Sequence, residues 1–199
     1  MNLTTRENPL TSPARTATLN LALIIGSNRE GRLAPAVADW FLEQAGARAG
    51  FTVTTVDTAQ ADLPTALGTP PPAVADSLAT VSATLAEADA FVVLTPEYNH
   101  SYPAALKALI DWHFSEWRAK PVGFVSYGGV SGGLRAVEHL RHVFAEMHAA
   151  TVRDTVSFHN VHLGFAPTEA ARAAAASMLD QLEWWGRALK EAKEQRPYR

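Results

Sequence analysis

Pro96-Glu97-Tyr98-Asn99 closes the apolar run Ala90 to Leu94, and a helical pattern resumes near Pro103. A plain connector needs turn residues, not a proline, a carboxylate, a phenol and a carboxamide together. Pro96 stiffens the exit and biases Thr95 toward extended geometry. Tyr98 offers an aromatic face and Asn99 a two-sided amide, so the stretch can pack beside a planar heteroaromatic ring and hydrogen-bond its edge. A purely local reading has Asn99 or Ser101 capping the helix and Tyr98 packing nearby; the two readings are compatible.

Two further stretches carry chemistry. In Gly26-Ser27-Asn28-Arg29-Glu30-Gly31-Arg32-Leu33, the glycines allow tight geometry and Ser27 supplies a hydroxyl. The loop opens a helix whose first N–H groups attract anions, and Arg29 and Arg32 can grip phosphate in a fork. It matches neither G-x-G-x-x-G nor G-x-x-x-x-G-K-[ST]. The third stretch, Ser126-Tyr127-Gly128-Gly129-Val130-Ser131-Gly132-Gly133, lets backbone approach a ligand closely. A phosphate cradle, an aromatic and amide wall and a glycine wall together suit a mononucleotide with a flat ring.

Other constellations compete. Gly129, Ser131 and Gly133 fit G-x-S-x-G, with Asp154 and His159 or His162 following in the order of a serine hydrolase triad. His139 with His142, and His159 with His162, are each spaced three apart, but the chain has no cysteine and no carboxylate at zinc spacing. No metal is expected.

These residues must be positioned by strands and helices. Continuous or β-branched apolar runs (Leu19 to Gly26, Phe51 to Asp57, Ala90 to Pro96, Pro121 to Tyr127, Thr151 to Phe158) alternate with helical patterns. The helical faces are Val37, Trp40 and Phe41; Val74, Leu78, Val81 and Leu85; Leu106, Leu109 and Ile110; Val137, Leu140, Phe144 and Met147; and Met178, Leu182, Trp185 and Leu189. Pro70, Pro71 and Pro72 are read as non-helical. The last helix is expected from about Pro167. Repeated strand–helix units imply a parallel sheet with helices on both faces. With five strands the flavodoxin-like order 2-1-3-4-5 is expected, its crevice at the carboxyl ends of strands 1 and 3.

The length, 199 residues, suits one domain. Residues 1–16 read as a disordered arm and 17–199 as a single folded unit. The net charge of −3 gives no field that points to nucleic acid. No stretch is apolar enough to span a bilayer, and the amino-terminal segment has no signal-like apolar region. The absence of cysteine fits a cytoplasmic protein.

"GSNREGR", "TPEYNHSYPAALKALIDW" and "KPVGFVSYGGVSGGLRAVEHLR" resemble the NADPH-dependent FMN reductases, a family that includes NAD(P)H:quinone, chromate and azo reductases. The resemblance covers about Leu19 to Leu163. It implies a flavodoxin-like fold, non-covalent FMN, NADPH or NADH as hydride donor, a small electron acceptor, and a homodimer or homotetramer. Carried over by position, Ser27 and Arg29 would hold the FMN phosphate, with Arg32 or the Leu33 amide assisting. Pro96, Glu97, Tyr98 and Asn99 would line the isoalloxazine, largely through backbone, and Ser126, Tyr127, Gly128 and Gly129 would flank its other side. No catalytic side chain is expected, because the chemistry belongs to the flavin. Two positions depart from the family: Arg32 stands where many relatives have Ser, and Ala108, where relatives often have Asn, is expected at the helix surface. The aromatics Trp112, Phe114 and Trp117 are expected in a subunit contact. Alternatives are a flavodoxin-type electron carrier, which the weak net charge and basic phosphate loop do not suit, and a hydrolase using Ser131.

Overall fold

The structure, a computed structural model, describes residues 18–199; the expected amino-terminal arm lies outside the described residues. The chain runs β1 (Leu19–Ile25), α1 (Ala34–Gly46), β2 (Phe51–Asp57), α2 (Thr58–Ala61), α3 (Pro72–Glu87), β3 (Ala90–Pro96), α4 (Ala104–Asp111), β4 (Pro121–Tyr127), α5 (Leu134–Glu146), β5 (Ala150–Phe158) and α6 (Glu169–Gln195). The five strands form one sheet in the order β2-β1-β3-β4-β5, and every pairing is parallel. This is the expected flavodoxin-like order.

Both faces of the sheet are buried, and the two-residue period of a strand explains how. Leu19, Leu21, Leu23 and Ile25 of β1 pack in one core with Val37 and Phe41 of α1 and Met178 and Leu182 of α6. Ala22 and Ile24 pack in the other with Leu85 of α3, Leu106 of α4 and Leu140 and Phe144 of α5. The inner strands β1, β3 and β4 therefore read as near-continuous apolar runs, whereas the edge strands β2 and β5 interleave buried with exposed and half-exposed positions.

Several details depart from expectation. Pro72 is the first residue of α3; its missing N–H costs nothing at that position. α6 begins at Glu169, and the Thr168 side chain accepts from the Ala171 N–H. Trp185 is 42% exposed. Gly186 is buried in its place, because α6 crosses the end of β1 so closely that a Cβ there would sit 2.8 Å from Leu19 Cδ1. Ala108 is buried rather than at the helix surface. The aromatics after α4 do not form one exposed cluster. Trp117 is fully buried against Phe91 and Phe144, and the Trp112 indole N–H donates to Pro64 O at 2.7 Å. Phe114 alone of the three is largely exposed. Among the described residues, no helix is long and apolar enough to cross a membrane.

Candidate functional site

The parallel register aligns the carboxyl ends of the strands, with Ile25 opposite Leu94 and Pro96 opposite Tyr127. Sheet-like bonding continues one step past the strands: Gly26 N donates to Leu94 O, Glu97 N to Tyr127 O and Gly128 N to Phe158 O. The three motif loops thus leave the sheet side by side, on either side of the β1/β3 reversal where α/β sheets bind ligands.

The first loop is held from two sides. Ser27 is fully buried, and its hydroxyl shares a 2.8 Å hydrogen bond with Tyr98 Oη. The Arg32 guanidinium donates to Ser27 O and to both oxygens of Asp57, at 2.6 and 2.5 Å. The Asp57 bond raises the Arg32 pKa further, against the opposing effect of burial. Asp57 itself ends β2 and caps α2 by accepting from Ala59 N. Arg32 is therefore a latch on the loop, neutralised by Asp57. Arg29 is exposed and makes no hydrogen bond or ion pair among the described residues. Leu33 is the cap residue of α1, with no side-chain cap bond, so the first N–H groups of that helix face outward without a side-chain acceptor. A Cβ on Gly31 would meet nothing within 4 Å.

The second loop is a two-residue hairpin. Tyr98 and Ser101 exchange N–H to O bonds of 2.8 and 3.0 Å, and Asn99 and His100 both have positive φ, 49° and 71°. That is the geometry of a type I′ turn, in which Asn is favoured at the first central position. Pro96 is buried at the end of β3, while Tyr98 is half-buried. The Glu97 carboxylate is 7% exposed and points to the third loop. It accepts from Ser131 Oγ at 2.7 Å, from Arg135 N at 3.2 Å and from the Arg135 guanidinium at 2.8 Å. Burial tends to raise its pKa, but the Ser131 and Arg135 bonds outweigh it and hold the group below the usual carboxylate value.

In the third loop Ser126 is fully buried and its hydroxyl donates to Gly132 O at 2.8 Å, so it braces the loop from within. Tyr127 is buried too; burial pushes its phenol pKa upward, with Ser27 in opposition, so the phenol stays protonated. Gly133 has φ +88°, and a Cβ there would lie 2.7 Å from Ser126 Cβ. The loop's own turn needs that glycine. Gly129 differs: a Cβ would meet nothing within 4 Å, so its surface stays open.

The rival constellations come apart. Ser131 bonds Glu97 rather than a histidine, His159 bonds Val130 O and Ser157 Oγ, and Asp154 accepts from Ser177. Among the described residues these side chains form no Ser-His-Asp relay. Among the described residues no group of three or more His, Asp or Glu side chains is placed to hold a metal ion. The sequence reading missed Asp57 as the partner of Arg32, and Arg135 and Ser131 as partners of Glu97. A carboxylate closing a strand opposite a basic loop is a signal for the first; no spacing marks the second.

Residues 19–163 match the family described as NADPH-dependent FMN reductase. The chain belongs to that family. It is accordingly an oxidoreductase that works with FMN and NAD(P)H. An NAD(P)H-dependent FMN reductase of Schizosaccharomyces pombe is 36% identical over 143 residues, 67% of this chain and 70% of that one. A quinone reductase of Escherichia coli is 41% identical over 68 residues, 32% of this chain and 36% of that one. In fold the chain resembles the apo form of the NADH:FMN oxidoreductase EMOB, with a TM-score of 0.66 at 20% identity, covering 86% of this chain and 90% of that chain.

The residues present fit FMN. An Arg29 without a partner among the described residues and a helix start without a side-chain cap suit a phosphate, the open faces at Gly31 and Gly129 leave room for a ligand against backbone, and the buried Ser27 hydroxyl would reach that ligand only by exchanging its bond to Tyr98.

Proposed function

We propose that FMN lies across the three loops, with its phosphate on Ser27, Arg29 and the start of α1, and its ring between Pro96–Asn99 and Tyr127–Gly129. Arg32 and Leu33 act through the backbone they hold rather than as the main phosphate contacts. Bound there, FMN supplies a hydride relay from NAD(P)H to an acceptor. The chain's own residues bind, orient and exclude water: the Ser27–Tyr98 bond ties the phosphate loop to the ring loop, and Glu97 ties the ring loop to the glycine loop. That Ser27–Tyr98 bond is the observation that carries the reading, because it places the phosphate and ring motifs in direct contact. Backbone N–H groups along these loops stabilise negative charge on a reduced ring.

The acceptor is a small molecule of the quinone class. The enzyme acts in the cytoplasm, as one FMN-binding unit over residues 17–199, and as a homodimer or larger homo-oligomer. Val130 and Leu163 are 85% and 81% exposed and Leu134 is 42% exposed. The Val130 and Leu163 loops are joined by the Asn160 N to Gly129 O bond. Apolar side chains gathered beside the ring loops suit a second copy closing over the flavin.

An absorbance spectrum of the purified protein and an anaerobic titration with NADPH and with NADH test the reading. Flavin bands bleached by a nicotinamide alone, and restored by a quinone, are expected. FMN that only a separate reductase can reduce would make the protein an electron carrier instead. Light scattering at micromolar concentration tests the assembly; a monomer overturns the oligomer.

A further inference from the structure

The opposite end of the sheet, where β4 and β5 begin, holds a concavity with an unbalanced charge. Arg118, Lys120 and Lys193 line a cavity of about 390 Å³ together with Ser115, Glu116 and Tyr198. A second cavity of about 440 Å³ shares Lys193 and Tyr198 and is walled by Leu189, Ala192, Pro197 and His148, with Arg196 and Arg199 at its edge. The first cavity sets three cations against one carboxylate.

That carboxylate is already engaged. Glu116 Oε2 accepts from Phe114 N at 3.0 Å and Ser115 Oγ at 3.3 Å. Outside the cavity, the charge of Asp89 reaches both lysines, but its carboxylate is held by Lys190 at 2.9 Å and by Asn20 N at 3.0 Å. Lys120 is 7% exposed and donates to Leu85 O and Ala86 O at 2.8 and 2.9 Å, so two of its three N–H donors are used. Among the described residues, neither Arg118 nor Lys193 has a hydrogen-bonded acid, and Arg118 Nε is buried without a partner. The Arg118 guanidinium lies over the Phe114 ring at 4.4 Å, which fixes its plane. Burial, and then the charge of Lys193, push the Lys120 pKa down to about 8; burial lowers that of Lys193 as well. The charges of Asp89 and Glu116 offset the Lys120 shift only in part, and Asp89 offsets that of Lys193 only in part.

We propose that this concavity binds a phosphate monoester, its dianion among Arg118, Lys120 and Lys193 and its organic body in the adjoining cavity beside His148 and Tyr198. A planar guanidinium with two ammonium groups matches phosphate rather than a lone carboxylate. The second cavity, apolar over much of its wall, gives the ester an advantage over the free ion. The site lies at the amino ends of the strands, apart from the flavin loops, and does not depend on the FMN reading.

The test is calorimetric titration of the full chain, carrying one equivalent of FMN and freed of excess flavin, with adenosine 5′-monophosphate and separately with inorganic phosphate, at ionic strength fixed with sodium chloride. Saturable binding of the nucleotide is expected, with phosphate weaker and competing for the same site. Arg118→Gln/Lys193→Gln should weaken both at least tenfold, Lys193→Arg should retain binding, and Arg29→Gln should leave it unchanged. Absence of saturable binding overturns the proposal, as does binding that survives in the double variant or disappears in Arg29→Gln. Binding of inorganic phosphate without the nucleotide overturns the role of the second cavity. Far-UV circular dichroism and FMN content establish that the double variant is folded, and retention by Lys193→Arg separates charge loss from misfolding.

Discussion

Two arginine–carboxylate pairs brace the loops at the carboxyl ends of the strands, where we propose that FMN binds, and they are built differently. Arg32 and Asp57 are both largely enclosed, with side chains 16% and 11% exposed, and meet through two parallel bonds. Arg135 and Glu97 meet through one, with the arginine 49% exposed and the acid 7%. In the first pair each charge is the other's main compensation, so removing either partner strands a buried ion. In the second, Glu97 also accepts from Ser131 and from a backbone N–H, so the arginine is one donor among three. The first loop is latched by a pair that stands or falls together; the second and third loops are joined by a redundant network.

The largest effect should follow from breaking the latch. Asp57→Ala leaves the partly enclosed Arg32 guanidinium without its acid, and should cost about 2–3 kcal/mol in urea unfolding, the upper part of the range for hydrogen bonds to a charged group. Removing both charges as Arg32→Met/Asp57→Leu should recover most of that loss. A double variant as unstable as Asp57→Ala would show that the pair's worth lies in something other than mutual compensation, such as the cap that Asp57 gives α2.

Arg29 sharpens the contrast from within the same loop, because it has no partner to lose. Arg29→Ala should weaken FMN binding by about 1.5–3 kcal/mol, the range for a charge-assisted hydrogen bond. It should leave the stability of the FMN-free protein within about 0.5 kcal/mol, as for an exposed side chain. Fluorescence titration with FMN and urea unfolding separate the two. Unchanged affinity would remove Arg29 from the phosphate site.

The sheet order and the sites of the three loops were legible because apolar period and β-α alternation are backbone-scale signals summed over many residues; the register was not. The roles of individual polar side chains were legible only in part. Arg29 and Arg32 look equivalent in the sequence, yet one is free and the other latched, because the partner Asp57 comes from a strand that only the sheet order brings alongside. Glu97 was expected beside the flavin largely through its backbone; the direction of its side chain is set by Ser131 and Arg135, more than thirty residues away, and no local pattern reveals that. Trp117 looked like an interface residue because the helix before it already had an inward face. The 3-10 turn at Ser115–Trp117 folds it back into the core, and no periodicity announces such a turn.

The Glu97 network makes a pH prediction. Its folded-state pKa lies below the ordinary carboxylate value, so the folded protein favours the ionised form more than the unfolded chain does. The stability this contributes is present above the unfolded value of about 4.3 and is lost as pH falls through the lower folded value. Glu97→Gln should therefore cost about 1–2 kcal/mol at pH 7, in the range for hydrogen bonds to a charged group. The gap between variant and wild type should close on acidification below pH ~4. A gap independent of pH would mean that shape rather than charge makes the contact.

The smallest effect should come from Arg135→Gln, and its smallness is the sharpest statement of the comparison. The substitution removes one bond from Glu97 but leaves Ser131 Oγ at 2.7 Å and the residue 135 backbone N–H at 3.2 Å. The guanidinium is half in solvent, where an ion pair contributes about 0.2–1 kcal/mol. Both the stability loss and any change in FMN affinity should fall in that range, and added salt should shrink the wild-type advantage. Combining Arg135→Gln with Ser131→Ala removes two of the three donors, so the double variant should lose more than the sum of the singles. Strict additivity across that cycle would mean that the donors act independently and the network is not redundant. A single Arg135→Gln variant as costly as Asp57→Ala would erase the difference between the two pairs.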